Sequence, residues 1–272
     1  MSTSAARPEG LPDFLNPPLN EVVIGVQFSR PKGYQQIHAG SVWQLFKDRY
    51  PDVQEHVAIP PTFETFGLQQ QAFPAPGFGI VNGAMHDRFW FLSPNGGEEL
   101  LQFQEDRLLH NWRKIGDESN EYPRFESVID CFGAELSKLQ TFMSGLSGQP
   151  LLINQCEVSY INHIVFSDSM PSAQHWLNFV NFQSGEPEDV SMVLRETILD
   201  EDNKPHARLT YEVGSGQKGG RKMINLVLTY RGVPKSADLM DVLTFLKAGR
   251  IKIVQRFAQI TTKAAHTYWG ME

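Results

Sequence analysis

The chain has 272 residues, 41% of them hydrophobic and 20% charged, with a net charge of −7. This composition excludes a disordered chain, and the length suffices to bury a core without disulfides or metals. No apolar run reaches the roughly 18–20 residues of a membrane helix, and the first residues hold no apolar core for a secretory signal. Two cysteines, Cys131 and Cys156, cannot make a disulfide framework, so a reducing cytoplasm and two free thiols are expected.

In chain order, residues 1–18 carry four prolines and no periodicity and read as a flexible tail. Glu21–Phe28 alternates as a strand, with Val22, Ile24, Val26 and Phe28 on one side. Ser41–Tyr50 reads as a helix stopped by Pro51. Residues 56–84, rich in Pro and Gly, read as short strands and loops. A meander follows: Arg88–Leu92, a turn at Pro94–Gly97, Leu100–Gln104 and Leu108–Lys114. Phe125, Val128, Ile129, Phe132, Leu136, Leu139 and Met143 then mark a strong amphipathic helix between Pro123 and Gly145. The second part begins with a strand, Cys156–Phe166, and a helix over Ser172–Phe182. Three strands follow, Ser191–Leu199, Ala207–Val213 and Met223–Arg231. A long helix spans Ser236–Ile260, and Thr261 or Thr262 caps a last short one ending at Trp269-Gly270.

The two parts can be overlaid. Glu21-Val22 matches Glu157-Val158, and Trp43/Phe46 matches Trp176/Phe179. The order of elements also repeats, so the expected fold class is α+β, a duplicated strand–helix–meander–helix unit with an antiparallel sheet. The repeats are 19–148 and 149–272, after the 1–18 tail. Such a unit resembles the half-repeat of TBP-like saddles and, more loosely, helix-grip folds, a likeness that implies no activity.

Four stretches also carry a family resemblance. They are Asn16–Phe28 (NPPLNEVVIGVQF), Leu101–Arg113 (LQFQEDRLLHNWR), Tyr160–Ile164 (YINHI) and the Trp-Gly ending near Gly270. In order and spacing they resemble a sporadically distributed prokaryotic family of about this length whose function is uncharacterised. Ser159 departs from the Arg that this resemblance leads one to expect before Tyr160. A scattered distribution implies a defence or toxin-neutralising setting and supplies no reaction.

Motifs for catalysis are weak. Gly214-Ser-Gly216-Gln-Lys-Gly219 matches a phosphate-binding glycine pattern, but a strand follows it where a helix is needed, so it reads as a hairpin loop. The eight histidines show no H-x-x-x-H pair, and neither cysteine sits in C-x-x-C, so neither a metal site nor a cofactor is expected. Cys156 and His163 fall on opposite faces of one strand and make no nucleophile pair. Cys131 reads as buried filler. No catalytic residue is assigned.

Polar residues within strands are the better signal. Gln102, Gln104, Asn111, Arg113, Tyr160, Asn162 and His163 are the candidate ligand- or partner-binding residues, on the expectation that they line one concave surface. Gln, Asn and Arg also populate solvent faces of ordinary antiparallel sheets. Charge is distributed unevenly: residues 214–263 hold 10 basic and 2 acidic side chains in an otherwise acidic chain. Lys218, Arg221, Lys222, Arg250 and Arg256 are therefore candidate anion-binding residues, although such asymmetry is usually neutralised within the fold. The leading expectation is a cytoplasmic, non-catalytic binding protein that acts on a protein partner. Nucleic-acid or nucleotide binding through 214–263 and an enzyme with a dispersed strand-built site are the alternatives.

Overall fold

A computed structural model describes residues 8–67, 87–94, 96–183, 185 and 187–271. Its centre is one nine-stranded antiparallel sheet. The strands are β1 (Leu19–Phe28), β2 (Asp52–His56), β3 (Arg88–Leu92), β4 (Glu99–Gln104), β5 (Arg107–Arg113), β6 (Ile153–Val165), β7 (Ser191–Leu199), β8 (Pro205–Lys218) and β9 (Arg221–Gly232). Across the sheet they run β2-β3-β4-β5-β1-β6-β9-β8-β7. The helices are α1 (His38–Gln44), α2 (Phe125–Ser147), α3 (Leu239–Ile260) and α4 (Lys263–Trp269). No helix among the described residues is long and apolar enough to cross a membrane.

Alternation along the strands separates two faces. One face carries Val22, Ile24 and Val26 of β1, Leu101 and Phe103 of β4, Cys156 and Val158 of β6 and Leu226 and Leu228 of β9, all buried. Against it lie the apolar stripe of α2, from Phe125 to Met143, and that of α3, including Val242, Leu246 and Ile253. Helix α3 packs tightly on the sheet at Gly249, where a Cβ would sit 2.6 Å from the Tyr230 ring. The other face is open to a different element. Residues 57–67 run across it as a strap that exchanges hydrogen bonds with Gln104, Gln27 and Arg107.

Several segments differ from the sequence reading. Helix α1 begins at His38 and ends at Gln44. From there to Tyr50 the chain tightens into short-range bonds, Leu45 N to Val42 O and Phe46 N to Trp43 O. Strand β2, directly after Pro51, was not expected. Ser172–Phe182 is not a helix: only Ala173–His175 forms a 3₁₀ turn. The backbone beyond it pairs across the fold instead, Thr262 N to Trp176 O and Asn178 N to Ile260 O, which takes the groups a helix would use. Gly214–Lys218 is ladder rather than loop. The hairpin turns on Gly219-Gly220 alone, whose φ values of 57° and 76° suit a two-residue primed turn.

Where a tail is expected, Leu11 and Phe14 are buried. Phe14 packs edge-on to Phe257 at 5.4 Å, and Leu15 and Asn16 bond the backbone of Gly270 and Trp269. Residues 1–7 of that tail, 68–84 of the loop-rich stretch and Asn95 of the turn lie outside the described residues. Thr262, not Thr261, caps α4 by accepting from Ala265 N. Both cysteines are free.

The close approach at Gly249 makes a prediction. Gly249→Val forces the Tyr230 ring out of its place and is expected to destabilise the fold by about 1–3 kcal/mol in chemical denaturation.

Candidate binding site

The sheet divides the sequence candidates between its two faces. Tyr160, Asn162 and Arg250 meet on the helix side, in a cavity of about 80 Å³ between β6, α2, α3 and the N-terminal segment. Its walls include Phe14, Leu19, Phe125, Ile253, Val254 and Phe257. Polar groups converge at one end. The Tyr122 and Tyr160 hydroxyls lie 3.3 Å apart, and burial pushes both above the ordinary tyrosine range, so they stay protonated. Arg250 is 6% exposed. Its Nη2 lies 3.2 Å from Glu126 Oε1 and its guanidinium 5.6 Å from the Phe125 ring centre, while its Nε–H has no hydrogen-bond partner. At the rim Arg124 pairs with Asp13 at 3.1 Å. Asn162 is tied internally, its Nδ2 donating to Leu226 O at 3.1 Å.

Gln102, Gln104, Asn111, Arg113 and His163 lie on the opposite face, so the seven residues do not line one surface. The Gln102 amide donates to Asn111 Oδ1 at 2.9 Å, and its own oxygen accepts from Arg88 and from the Trp90 indole, each at 3.0 Å. Asn111 donates to Glu21, whose carboxyl burial raises against the opposing pull of Asn111 and Arg113. Arg113 donates to Gly97 O and stacks 5.4 Å from the Trp90 ring centre. Gln104 holds the strap through Ile59. These groups form a satisfied hydrogen-bond network, one of the two arrangements that buried polar strand residues can adopt. His163 keeps a buried Nδ1 without a partner, and burial and Lys218 lower its pKa against the pull of Glu118.

The basic segment is laid against acids from elsewhere in the chain. Lys218 pairs with Glu118, Arg250 with Glu126, Arg256 with Glu196, and Arg231 with both Glu157 and Glu64. Glu64, in the strap, also holds Arg208 at 2.7 Å. Arg221 and Lys222 stand exposed beside the β8–β9 turn. Of the five candidate anion binders, Arg250 alone lines the cavity.

A buried group that sequence spacing did not reveal sits between β5, α2 and the turn after α1. His110 Nδ1 lies 2.8 Å from Glu135 Oε2, and Glu135 Oε1 accepts from the Tyr50 hydroxyl at 2.6 Å and from the Cys131 thiol at 3.2 Å. Burial drives the Glu135 carboxyl up, but His110 and the three hydrogen bonds outweigh it and leave it below the ordinary range. Burial and Glu135 push the Cys131 thiol to about 12, an unreactive state. His110, Cys131 and Glu135 offer ligand atoms within 4.8 Å of one another. His110 Nδ1, Cys131 Sγ and the Glu135 carboxylate engage one another, while His110 Nε2 is buried without a hydrogen-bond partner among the described residues.

Tyr122, Arg124, Phe14 and Phe125 are the site residues that sequence reasoning missed. Tyr122 and Arg124 flank Pro123 just outside the helical periodicity, and Phe14 lies in a segment without periodicity. No family model, curated protein or solved structure matches this chain.

Two predictions follow from these networks. Asn111→Ala strands Gln102 Nε2 and Glu21 in a closed face and is expected to cost about 1–3 kcal/mol, read by urea denaturation. Glu135→Gln is expected to be strongly destabilising near neutrality, by about 3–5 kcal/mol, because it removes the carboxylate on which Tyr50, His110 and Cys131 converge and puts an amide N–H₂ among those donors. The native carboxyl titrates below the 4.5 of an unperturbed Glu, so its contribution is full above that pH and fades as pH falls through the native value. The stability gap between wild type and Glu135→Gln should therefore narrow below pH 4.5, measured by denaturation across pH.

Proposed function

We propose that this chain is a cytoplasmic, non-catalytic binding protein that holds a protein partner in the helix-side cavity. The observation that carries this reading is the cavity itself. It has apolar walls and a few convergent polar tips, the usual make-up of a binding pocket. One tip is a buried arginine with an unused donor. The polar strand residues of the other face are spent on internal hydrogen bonds and on the strap, which weighs against a dispersed catalytic site there. The pairing of Lys218, Arg231, Arg250 and Arg256 with acids removes four of the segment's ten cations from phosphate contact and so weighs against nucleic-acid binding there, although Arg221 and Lys222 stand exposed.

The same reading includes a duplicated unit in a TBP-like or helix-grip-like saddle. Strand order supports it: outward from the centre one side begins β1-β5-β4-β3 and the other reads β6-β9-β8-β7, with a long helix after each meander, although β2 extends the first side by a strand that has no counterpart among the described residues. The defence or toxin-neutralising setting rests on the family resemblance alone.

A photo-crosslinking residue at Leu15, an exposed position of the N-terminal segment next to Phe14 of the cavity wall, tests the partner. In the native host it should give a discrete protein adduct. Val254→Trp, which fills the cavity, should abolish that adduct while the circular dichroism spectrum is kept. An adduct unaffected by Val254→Trp would place partner binding elsewhere.

A further inference from the structure

We infer that the cavity takes a carboxylate on a short aliphatic stem, such as the end of a Glu side chain, with Arg250 and the tyrosine hydroxyls as its donors. This inference rests on the cavity being the binding site and adds the chemistry of what enters it.

Three observations carry it. First, Arg250 is buried with its Nε–H unpartnered, while its Nη2 lies 3.2 Å from Glu126 Oε1 and its guanidinium also engages the Tyr160 hydroxyl. A guanidinium presents paired N–H groups that suit a planar carboxylate, and a buried unused donor favours any ligand that satisfies it. Second, Tyr122 and Tyr160 share a hydrogen bond of 3.3 Å between two hydroxyls, which leaves one proton free to donate. Third, α2 begins at the cavity. Arg124 and Phe125 line it, and Arg124, the N-cap residue with φ 70°, makes no side-chain cap. The first-turn N–H groups of this 23-residue helix thus add partial positive charge at the same end.

The opposing charges are Glu126 and Asp13. Asp13 is held by Arg124 at the rim, and Glu126 occupies the first turn of α2, where the helix dipole already balances it. The apolar walls, among them Leu19, Phe125, Ile253 and Phe257, suit the methylene stem.

NMR titration of the whole protein with butyrate, n-butanol and doubly capped glutamate tests this. Both carboxylates are expected to bind at least about tenfold more tightly than butanol, the difference made by a charge-assisted hydrogen bond. Tyr160→Phe, which removes one donor and little volume, should weaken both carboxylates and leave butanol unchanged. Arg250→Lys should weaken them further. Equal binding of butanol and butyrate, no binding of either carboxylate, or butyrate binding that survives Val254→Trp would overturn the inference. The two carboxylates separate its sources. Capped glutamate binding more tightly than butyrate supports a peptide origin. The reverse order keeps the carboxylate inference and removes the protein partner, while loss of carboxylate selectivity beside a Val254-dependent adduct removes the inference alone.

Discussion

The antiparallel pairing of β1 with β6 is the contact on which the architecture depends. Residues Leu19 to Phe28 lie against Asn162 to Ile153, with β5 on the far side of β1 and β9 on the far side of β6. Without it there would be two smaller sheets, each with a bare edge at its most apolar strand. With it, the last strand of each meander sits one place from the centre. The helices that follow those strands, α2 and α3, then lie side by side over the middle of the sheet. The cavity is the gap left where their ends, the N-terminal segment and β6 fail to close completely.

The two faces handle polarity differently. The helix face admits few polar groups, and most are tied to a specific partner: Glu135 to His110, Tyr50 and Cys131; Asn162 to Leu226; Arg250 to Glu126. The open face is polar but largely closed by its own network and by the strap. Gln27, Gln104 and Arg107 bind the strap's backbone, and Glu64 bridges Arg208 and Arg231 farther along. A strand face that alternation marks as solvent-side is thereby made interior, which is why Gln102, Gln104 and Asn111 are as buried as many core residues.

Charge follows the same logic. The excess of cations in 214–263 has no net expression where α3 and β9 meet the remainder of the chain, because Glu118, Glu126, Glu157 and Glu196 come from other elements to meet it. Arg250 differs from the others in being buried with a donor to spare. A cation in that position is costly to keep without a second acceptor, and this singles it out from a segment whose other charges lie nearer the surface, paired or solvated.

What the sequence determined by itself is local and periodic. Strand patterning marked β1 and β3 to β9, with β8 and β9 longer than read, and the three-and-four spacing marked α2 and α3, because side-chain direction repeats every 2 or 3.6 residues whatever lies beyond. A threonine cap marked α4. The sequence also marked Tyr160 and Asn162, a tyrosine and an amide in an apolar strand, and included Arg250 only as one cation of a basic segment. Tertiary structure alone decided the remainder. It placed Tyr160 and Asn162 on the face opposite Gln102 and Asn111, since the faces of different strands are related only through the pairing register. It replaced a helix at Ser172–Phe182 with backbone pairing to 260–262, because those partners are more than 80 residues away in the chain. It assembled Tyr50, His110, Cys131 and Glu135 from three elements, and it brought Phe14 and Tyr122 to Arg250. No spacing rule encodes such meetings, which depend on how strands order across a sheet and which helix covers which face.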